Sequence, residues 1–360
     1  MNWIDHYVTI YWKRVGEAVN LPEKSLGLLR WVYGFYVFLF AAPTFSWISQ
    51  VPDGFFDPPL LSLAYLLDGF PPGWIFQWLD IFVLSAVFLV TIGVKARLFT
   101  VVLLIIKIFG LSFAYSLGKI DHGILENALL LCMIIAGWGR HYALLPDKKL
   151  KFESTRRGLS LFATLICFGM FSAGIIKLLF WVDFDLSTSG FLTWYYSSYY
   201  NLDYQLLLMP YVKNLPMLFY ELADYTAVLF EVSGFLMLLW SPKAWKLWIL
   251  VASLFHFSNT LVLNIPFLEH VIVYLAFVNF QHLFGNVIQG REKILSVAIS
   301  LLFLSHIIQR VVSTGAEILF INDYQVHLVT NVYSGVGLWI LTALLLFWEF
   351  KKASYQKVNP

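Results

Sequence analysis

The sequence has few charged residues and few cysteines. Asp, Glu, Lys and Arg make up 13% of its 360 residues, whereas soluble globular domains carry about 25%. Both cysteines, Cys132 and Cys167, lie within apolar stretches, so they indicate neither a disulfide framework nor a metal site. A glycine-rich phosphate loop, an HExxH helix and a CxxC pair are all absent from the sequence. We therefore predict no nucleotide cofactor and no metal.

Apolar and aromatic side chains dominate instead. The chain is 59% hydrophobic and 18% aromatic, and its mean hydropathy is +0.73. This composition predicts an all-α, polytopic membrane protein. The formal net charge of +2 gives no indication of nucleic-acid binding.

The first 26 residues are mixed in polarity and lack the apolar core of a signal peptide. We interpret residues 1–26 as an amphipathic helix lying in the membrane interface. Its lipid-facing side would carry Trp3, Tyr7, Ile10, Tyr11 and Val15.

About ten stretches approach the length of roughly 20 apolar residues that a membrane-spanning helix needs. The predicted spans are 27–48, 75–94, 98–118, 122–139, 158–181, 217–240, 246–265, 268–286, 294–313 and 329–350. We assign 27–290 to one transmembrane bundle, and 291–360 to two additional spans with a short cytoplasmic tail.

Basic residues concentrate in alternate loops, and this asymmetry predicts orientation. The loop between the fourth and fifth spans is the richest, with Arg140, Lys148, Lys149, Lys151, Arg156 and Arg157. Residues 49–74 contain no Lys or Arg, and residues 182–216 contain Lys213 alone. We therefore expect both termini in the cytoplasm. The aromatic segment 187–216 fits an interfacial cap, and the alternative is a lid over a site.

Lys177 lies in an apolar run, LSLFATLICFGMFSAGIIKLLFW (159–181). An ammonium in that environment costs about 3 kcal/mol on insertion scales. A chain retains such a group when the group is paired, when water reaches it, or when it serves as a base. Lys107, in the middle of the third span, has no evident partner in the sequence, and we assign it no role.

Nearly all the other polar side chains within the spans, with the exception of Lys107, are predicted to fall in the same outer half of the bundle. We expect them to line one water-filled chamber, which makes them candidates for substrate binding. They are Glu126, Asn127, Asp224, Glu231, His256 and Asn259.

Structural alternatives stay open at this point. Lys177 could extend to the interface, since it is about one turn from the end of its span. His256 could be a neutral core histidine bonded to a carbonyl, and Glu231 could be a structural partner for another polar group. Asp224 lies near the predicted surface and could be solvated. Arg30 and Glu349, at the cytoplasmic ends of spans, would be ordinary flanking residues.

Two segments resemble a known family. SAGIIKLLFWVDF (172–184) resembles the AGxxKL pattern of the vitamin K-dependent γ-glutamyl carboxylases. The run at 229–277, with an acid, a small-residue helix and an FH motif, resembles the segment that follows in that family. Over about residues 20–290 the chain is similar to the HTTM domain, the membrane module shared by the carboxylases and many bacterial proteins.

The resemblance implies roles for several residues. Lys177 would be the base that deprotonates reduced vitamin K or menaquinone, and His122 would be a second catalytic residue. His256 and Glu231 match the family's FH histidine and the acid that precedes it. The implied location is a bacterial inner membrane, with the site facing outward. The carboxylases carry a large lumenal region after the membrane domain, whereas two further spans follow here, so we do not expect carboxylation of a docked protein.

Three functions remain open. The first is a membrane redox enzyme acting on a quinone or another isoprenoid-like lipid, with carboxylase- or epoxidase-like activity. The second is a binding or transport protein in which the polar cluster holds a proton or a small solute. The third is an immunity or maturation factor that recognises a protein partner.

Overall fold

The computed structural model describes residues 3–42, 44–60, 62–117, 123–148, 152–183, 185, 187–312 and 328–355. Within those ranges the chain forms helices and turns and no β-strand, which confirms the predicted all-α class. The helices are α1 Trp3–Ala18, α2 Glu23–Tyr36, α3 Gly73–Ile92, α4 Ala96–Ala114, α5 Ile124–Ala136, α6 Phe152–Trp181, α7 Gly190–Tyr196, α8 Met209–Val212, α9 Met217–Val232, α10 Gly234–Trp240, α11 Pro242–Leu263, α12 Leu268–Leu275, α13 Phe280–Ile288, α14 Glu292–Val312 and α15 Leu328–Tyr355.

In the part of the chain that the structure describes, six helical segments are long and apolar enough to cross a membrane. They are Glu23–Gln50, Gly73–Ile92, Ala96–Ala114, Thr155–Trp181, Pro242–Leu263 and Leu328–Lys352. The count rises to eight if two broken pairs are each one span: α9 with α10, bent by 48°, and α12 with α13. By length and composition, these helices fit a multi-pass membrane protein.

The fourth predicted span, 122–139, contains the shorter helix α5. This helix has 13 residues, fewer than the roughly 17 to 25 that span a bilayer. It ends at Gly137, whose φ of 76° lies in the left-handed region that glycine adopts without steric cost.

The chain divides into two compact units. Unit 1 comprises Met1–Asn20, Leu159–Val278 and Tyr324–Pro360, and unit 2 comprises Leu21–Gly158 and Asn279–Asp323. Unit 1 therefore holds α1, most of α6, α7 to α12, and α15, while unit 2 holds α2 to α5, α13 and α14.

In unit 1, the predicted lipid face of α1 is only partly exposed. Trp3, Tyr7 and Ile10 are exposed, but Val15 is fully buried. The Tyr11 hydroxyl lies 2.8 Å from the hydroxyl of Thr164 on α6. The prediction that Tyr11 and Val15 face lipid is therefore wrong, because this side of α1 packs against its own unit.

In unit 2, Arg30 is fully buried, so its interpretation as an ordinary flank is wrong. Its guanidinium donates hydrogen bonds to the carbonyl oxygens of Val90 and Thr91, both at 2.7 Å, and of Tyr142 at 2.5 Å. The last carbonyls of a helix lack partners within the helix and carry partial negative charge. Arg30 thus caps the C-terminal end of α3. Glu349, in unit 1, is buried as well and pairs with Lys246, so it too is more than a flank.

Candidate functional site

Lys177 and Glu231 form an ion pair within unit 1. The Lys177 ammonium on α6 donates to Oε1 of Glu231 on α9. The two side chains differ in access, since the lysine is 23% exposed and the glutamate 4%. The other glutamate oxygen, Oε2, is buried and has no hydrogen-bond partner among the described residues. The sequence alternative that Glu231 is a partner for a polar group on another helix matches this geometry.

A glycine brings the two helices together at this point. A Cβ atom on Gly174 would lie 2.8 Å from Cβ of Glu231 and 2.9 Å from Cγ1 of Val232, closer than real contacts allow. Lys177 follows three residues later, on the same side of α6. Gly174 therefore permits the close approach of α6 and α9 that sets the ammonium beside the carboxylate.

Trp181 is the second neighbour of the Lys177 ammonium. The Lys177 nitrogen lies 5.0 Å from the centre of the indole, within the range of a cation–π interaction. The same indole packs against the backbone at Gly190, where an added Cβ would lie 2.3 Å from three of its ring atoms. Gly190 and Lys177 thus both fix the position of Trp181.

Asp224, predicted to bind substrate, anchors the start of α7. Its Oδ2 accepts from the Ser189 hydroxyl at 2.7 Å and from the Gly190 amide at 3.0 Å, and its Oδ1 accepts from the Phe191 amide at 2.8 Å. Amides in the first turn of a helix lack partners within the helix, and a carboxylate there satisfies them. Asp224 is fully buried, so the alternative that it is solvated is wrong.

His256 lies in a buried polar cluster with Tyr274 and His270. Its Nε2 is 2.8 Å from the Tyr274 hydroxyl and 3.2 Å from Nδ1 of His270. The Trp339 ring stacks on the imidazole with a centroid distance of 5.3 Å, and Phe267 packs at 4.9 Å. His256 is 3% exposed. Its imidazole therefore contacts other protein groups and presents little surface to a ligand. The core-histidine alternative fits, with a hydroxyl and an imidazole in place of the expected carbonyl.

Unit 1 therefore holds both the Lys177–Glu231 ion pair and the His256 cluster. Asn259, one turn beyond His256 on α11, is half-buried.

Glu126 and Asn127 belong to unit 2. Glu126 pairs with the Lys107 ammonium at 2.7 Å and accepts a hydrogen bond from the Tyr33 hydroxyl at 3.0 Å. The partner that Lys107 lacked in the sequence is thus Glu126. The side-chain oxygen of Asn127 is buried without a hydrogen-bond partner among the described residues. His122 lies outside the described residues.

Sequence reasoning missed the roles of Tyr274, His270 and Trp181. Tyr274 and His270 carry a usable signal, since they are polar residues four apart in an apolar helix and therefore share a face. Trp181 is four residues after Lys177, so these two residues also share a helix face. Among the described residues, no group of three or more His, Cys, Asp or Glu could hold a metal ion.

No family model, curated protein or solved structure matches the chain. The resemblance to the carboxylases therefore depends on residues 172–184 and 229–277 alone.

The acid–base chemistry of the ion pair depends on the proton shared between the Lys177 amine and the Glu231 carboxylate. A lysine held as an ammonium cannot accept a proton, and an adjacent carboxylate stabilises that charged form. Burial of the pair disfavours the two charged forms, because desolvation costs several kcal/mol per ion. Transfer of one proton along the hydrogen bond converts the ion pair into a neutral amine and a carboxylic acid. Lys177 and Glu231 can therefore serve together as a base and a proton store.

Proposed function

We propose that the chain is a membrane protein with about ten spans and both termini in the cytoplasm, and that unit 1 binds a quinone or another isoprenoid-like lipid. Lys177 acts on that lipid as a base, and Glu231 holds the proton. One observation carries the proposal: a partly exposed amine contacts a buried carboxylate at the AGxxKL motif. The scarcity of Lys and Arg in 49–74 and 182–216 supports an outward-facing site in a bacterial inner membrane.

Each residue of this site has a separate role in the proposed proton transfer. Lys177, as the neutral amine, takes the proton from a hydroxyl of the reduced quinone, while Glu231 retains the proton it received from the ammonium. Gly174 and Trp181 fix the position of the amine. By resemblance to the carboxylases, the reduced quinone then reacts with dioxygen: one oxygen atom enters the epoxide, and the other leaves as water with the two hydrogens of the quinol.

The test is a turnover assay on the purified full chain in lipid. Reduced phylloquinone or menaquinone is supplied with oxygen, and epoxide is measured by chromatography. We expect epoxide from the parent protein and none from Lys177→Met. The control is Lys246→Met, because Lys246 pairs with Glu349 at similar exposures of 27% and 5%. Absence of epoxide from the parent, or undiminished epoxide from Lys177→Met, would contradict the enzyme proposal.

A second function is favoured by the ion pair itself, because a carboxylate partner stabilises the ammonium and so opposes its use as a base. In this alternative the protein binds or transports a lipid or solute, or recognises a partner as an immunity or maturation factor, without chemistry. Retention of quinone by the parent, with no epoxide at any pH, would favour binding over catalysis.

A further inference from the structure

A cleft of about 530 Å³ opens in unit 1 beside the C-terminal end of α6. Its volume falls within the range of small-molecule sites, roughly 300 to 1,000 Å³. The last turn of α6, Asp183, residues 187–189 and α7 form the walls. Four aromatic side chains line it, namely Phe180, Trp181, Trp194 and Tyr196. Neither Lys177 nor Glu231 is among its lining residues. The cleft adjoins the ion pair through Trp181, which lines the cleft and also contacts the Lys177 ammonium.

The charge at this cleft is negative. Asp183 is the one charged residue among the lining residues. Asp185 lies two residues further on, and hydrogen bonds from the hydroxyl and the backbone amide of Ser187 lower the pKa of its carboxyl. Asp185 therefore stays ionised at neutral pH. Lys213, the single basic residue of 182–216, contacts Tyr199 and does not line the cleft.

This combination selects a positively charged group. The faces of aromatic rings attract cations, and quaternary and primary ammonium groups bind in such surroundings. An anion would meet the Asp183 carboxylate with no cation among the lining residues to offset it. A neutral polyol would leave that negative charge without a counter-charge.

The surface next to the cleft is apolar and belongs to a helix of membrane-spanning length. Ile176, Leu179 and Phe180, near the end of α6, are 57%, 69% and 73% exposed. Phe180 also lines the cleft, so the exposed apolar surface and the cleft are continuous. A ligand with an ammonium group and hydrocarbon tails matches both parts.

We propose that this cleft binds the ammonium head group of a membrane lipid, whose acyl chains lie along Ile176, Leu179 and Phe180. The ammonium packs against the aromatic rings and pairs with Asp183. The proposal does not depend on quinone chemistry at Lys177.

Two lipids that differ only in the head group provide the test. The full chain in detergent is titrated with phosphatidylethanolamine and with phosphatidylglycerol of identical acyl chains, and bound lipid is counted by native mass spectrometry. We expect phosphatidylethanolamine to bind about three- to thirtyfold more tightly, the size of one exposed ion pair with a cation–π contact.

Variants assign that preference to the cleft. Asp183→Asn, which keeps the shape of the side chain, should abolish the preference, and Trp194→Leu should reduce it. Asp203→Asn is the matched control, because Asp203 lies in the same outer segment but does not line the cleft. Asparagine also tolerates the positive φ of 54° at position 203.

Equal binding of the two lipids, or an unchanged preference in Asp183→Asn, would overturn the proposal. Free ethanolamine or a lysine-containing peptide that competes as strongly as the lipid would overturn the assignment to a lipid. A failed quinone assay with an intact lipid preference would contradict only the proposed enzyme function.

Discussion

At the scale of single residues, Lys177 and Glu231 form an ion pair whose two side chains differ in exposure. The carboxylate is almost fully buried, whereas nearly a quarter of the lysine side chain is exposed. Loss of glutamate leaves an ammonium that can reach water by bending its flexible chain. Loss of lysine leaves a buried carboxylate with no counter-charge, which is the more costly situation. The two single substitutions should therefore differ in their effect on stability.

His256 allows a residue-scale prediction, because its burial argues against ligand contact. His256→Leu should lower the free energy of unfolding by about 1–3 kcal/mol, since the fully buried Tyr274 hydroxyl loses a hydrogen-bond partner. His256→Gln, which can still bond to Tyr274, should lower it less. Unfolding in denaturing detergent measures both, and a parallel quinone-retention assay should show no change. Loss of retention at normal stability would instead indicate that His256 contacts the ligand.

At the scale of elements, the approach of α6 to α9 depends on Gly174. Gly174→Ala should destabilise unit 1 by about 1–3 kcal/mol, the usual cost of overpacking, and weaken the contact between Lys177 and Glu231. Gly337→Ala on α15 is the control, because a Cβ there meets nothing within 4 Å. Alanine at that helical position should be neutral or stabilising by up to about 1 kcal/mol. Equal stability of the two variants in thermal unfolding would contradict this packing.

The helices could be predicted to different extents. α3, α4, α6, α11 and α15 follow from apolar runs of sufficient length. The breaks between α9 and α10 and between α12 and α13 could not, because hydropathy reports transfer into lipid and carries no information on backbone direction. The end of α5 did have a signal, since Gly137 is a typical helix terminator inside the predicted span.

The burial of Glu231 and His256 was predictable from their positions in apolar spans, but the pairing of Lys177 with Glu231 was not. Unit 1 holds all three residues, and their placement in one half of the membrane stays a prediction. The partner of Lys107 was missed although an adjacent span carries the buried Glu126. Pairing depends on which helix faces meet, and that depends on small residues such as Gly174. Burial alone does not reveal which charged residues pair with one another.

At the scale of the whole molecule, the predicted orientation can be measured with single cysteines. Cys132 and Cys167 are both buried, so the parent protein provides a low background. A cysteine replacing Ser187 should react with a membrane-impermeant maleimide in intact cells. A cysteine replacing Lys148 should react only after permeabilisation, because its loop is rich in Lys and Arg. Labelling of both positions from the same side would contradict the predicted membrane crossing between residues 148 and 187 and the orientation that includes it.

The coupling between Lys177 and Glu231 tests the central claim most directly. Unfolding free energies are measured for Lys177→Met, Glu231→Gln and the double variant, with Lys246→Met, Glu349→Gln and their double variant as a second cycle. The pair predicts a coupling of about 1–3 kcal/mol, with the double variant more stable than Lys177→Met alone. Losses at residues 177 and 231 that simply add would show that no such pair exists and would contradict the account.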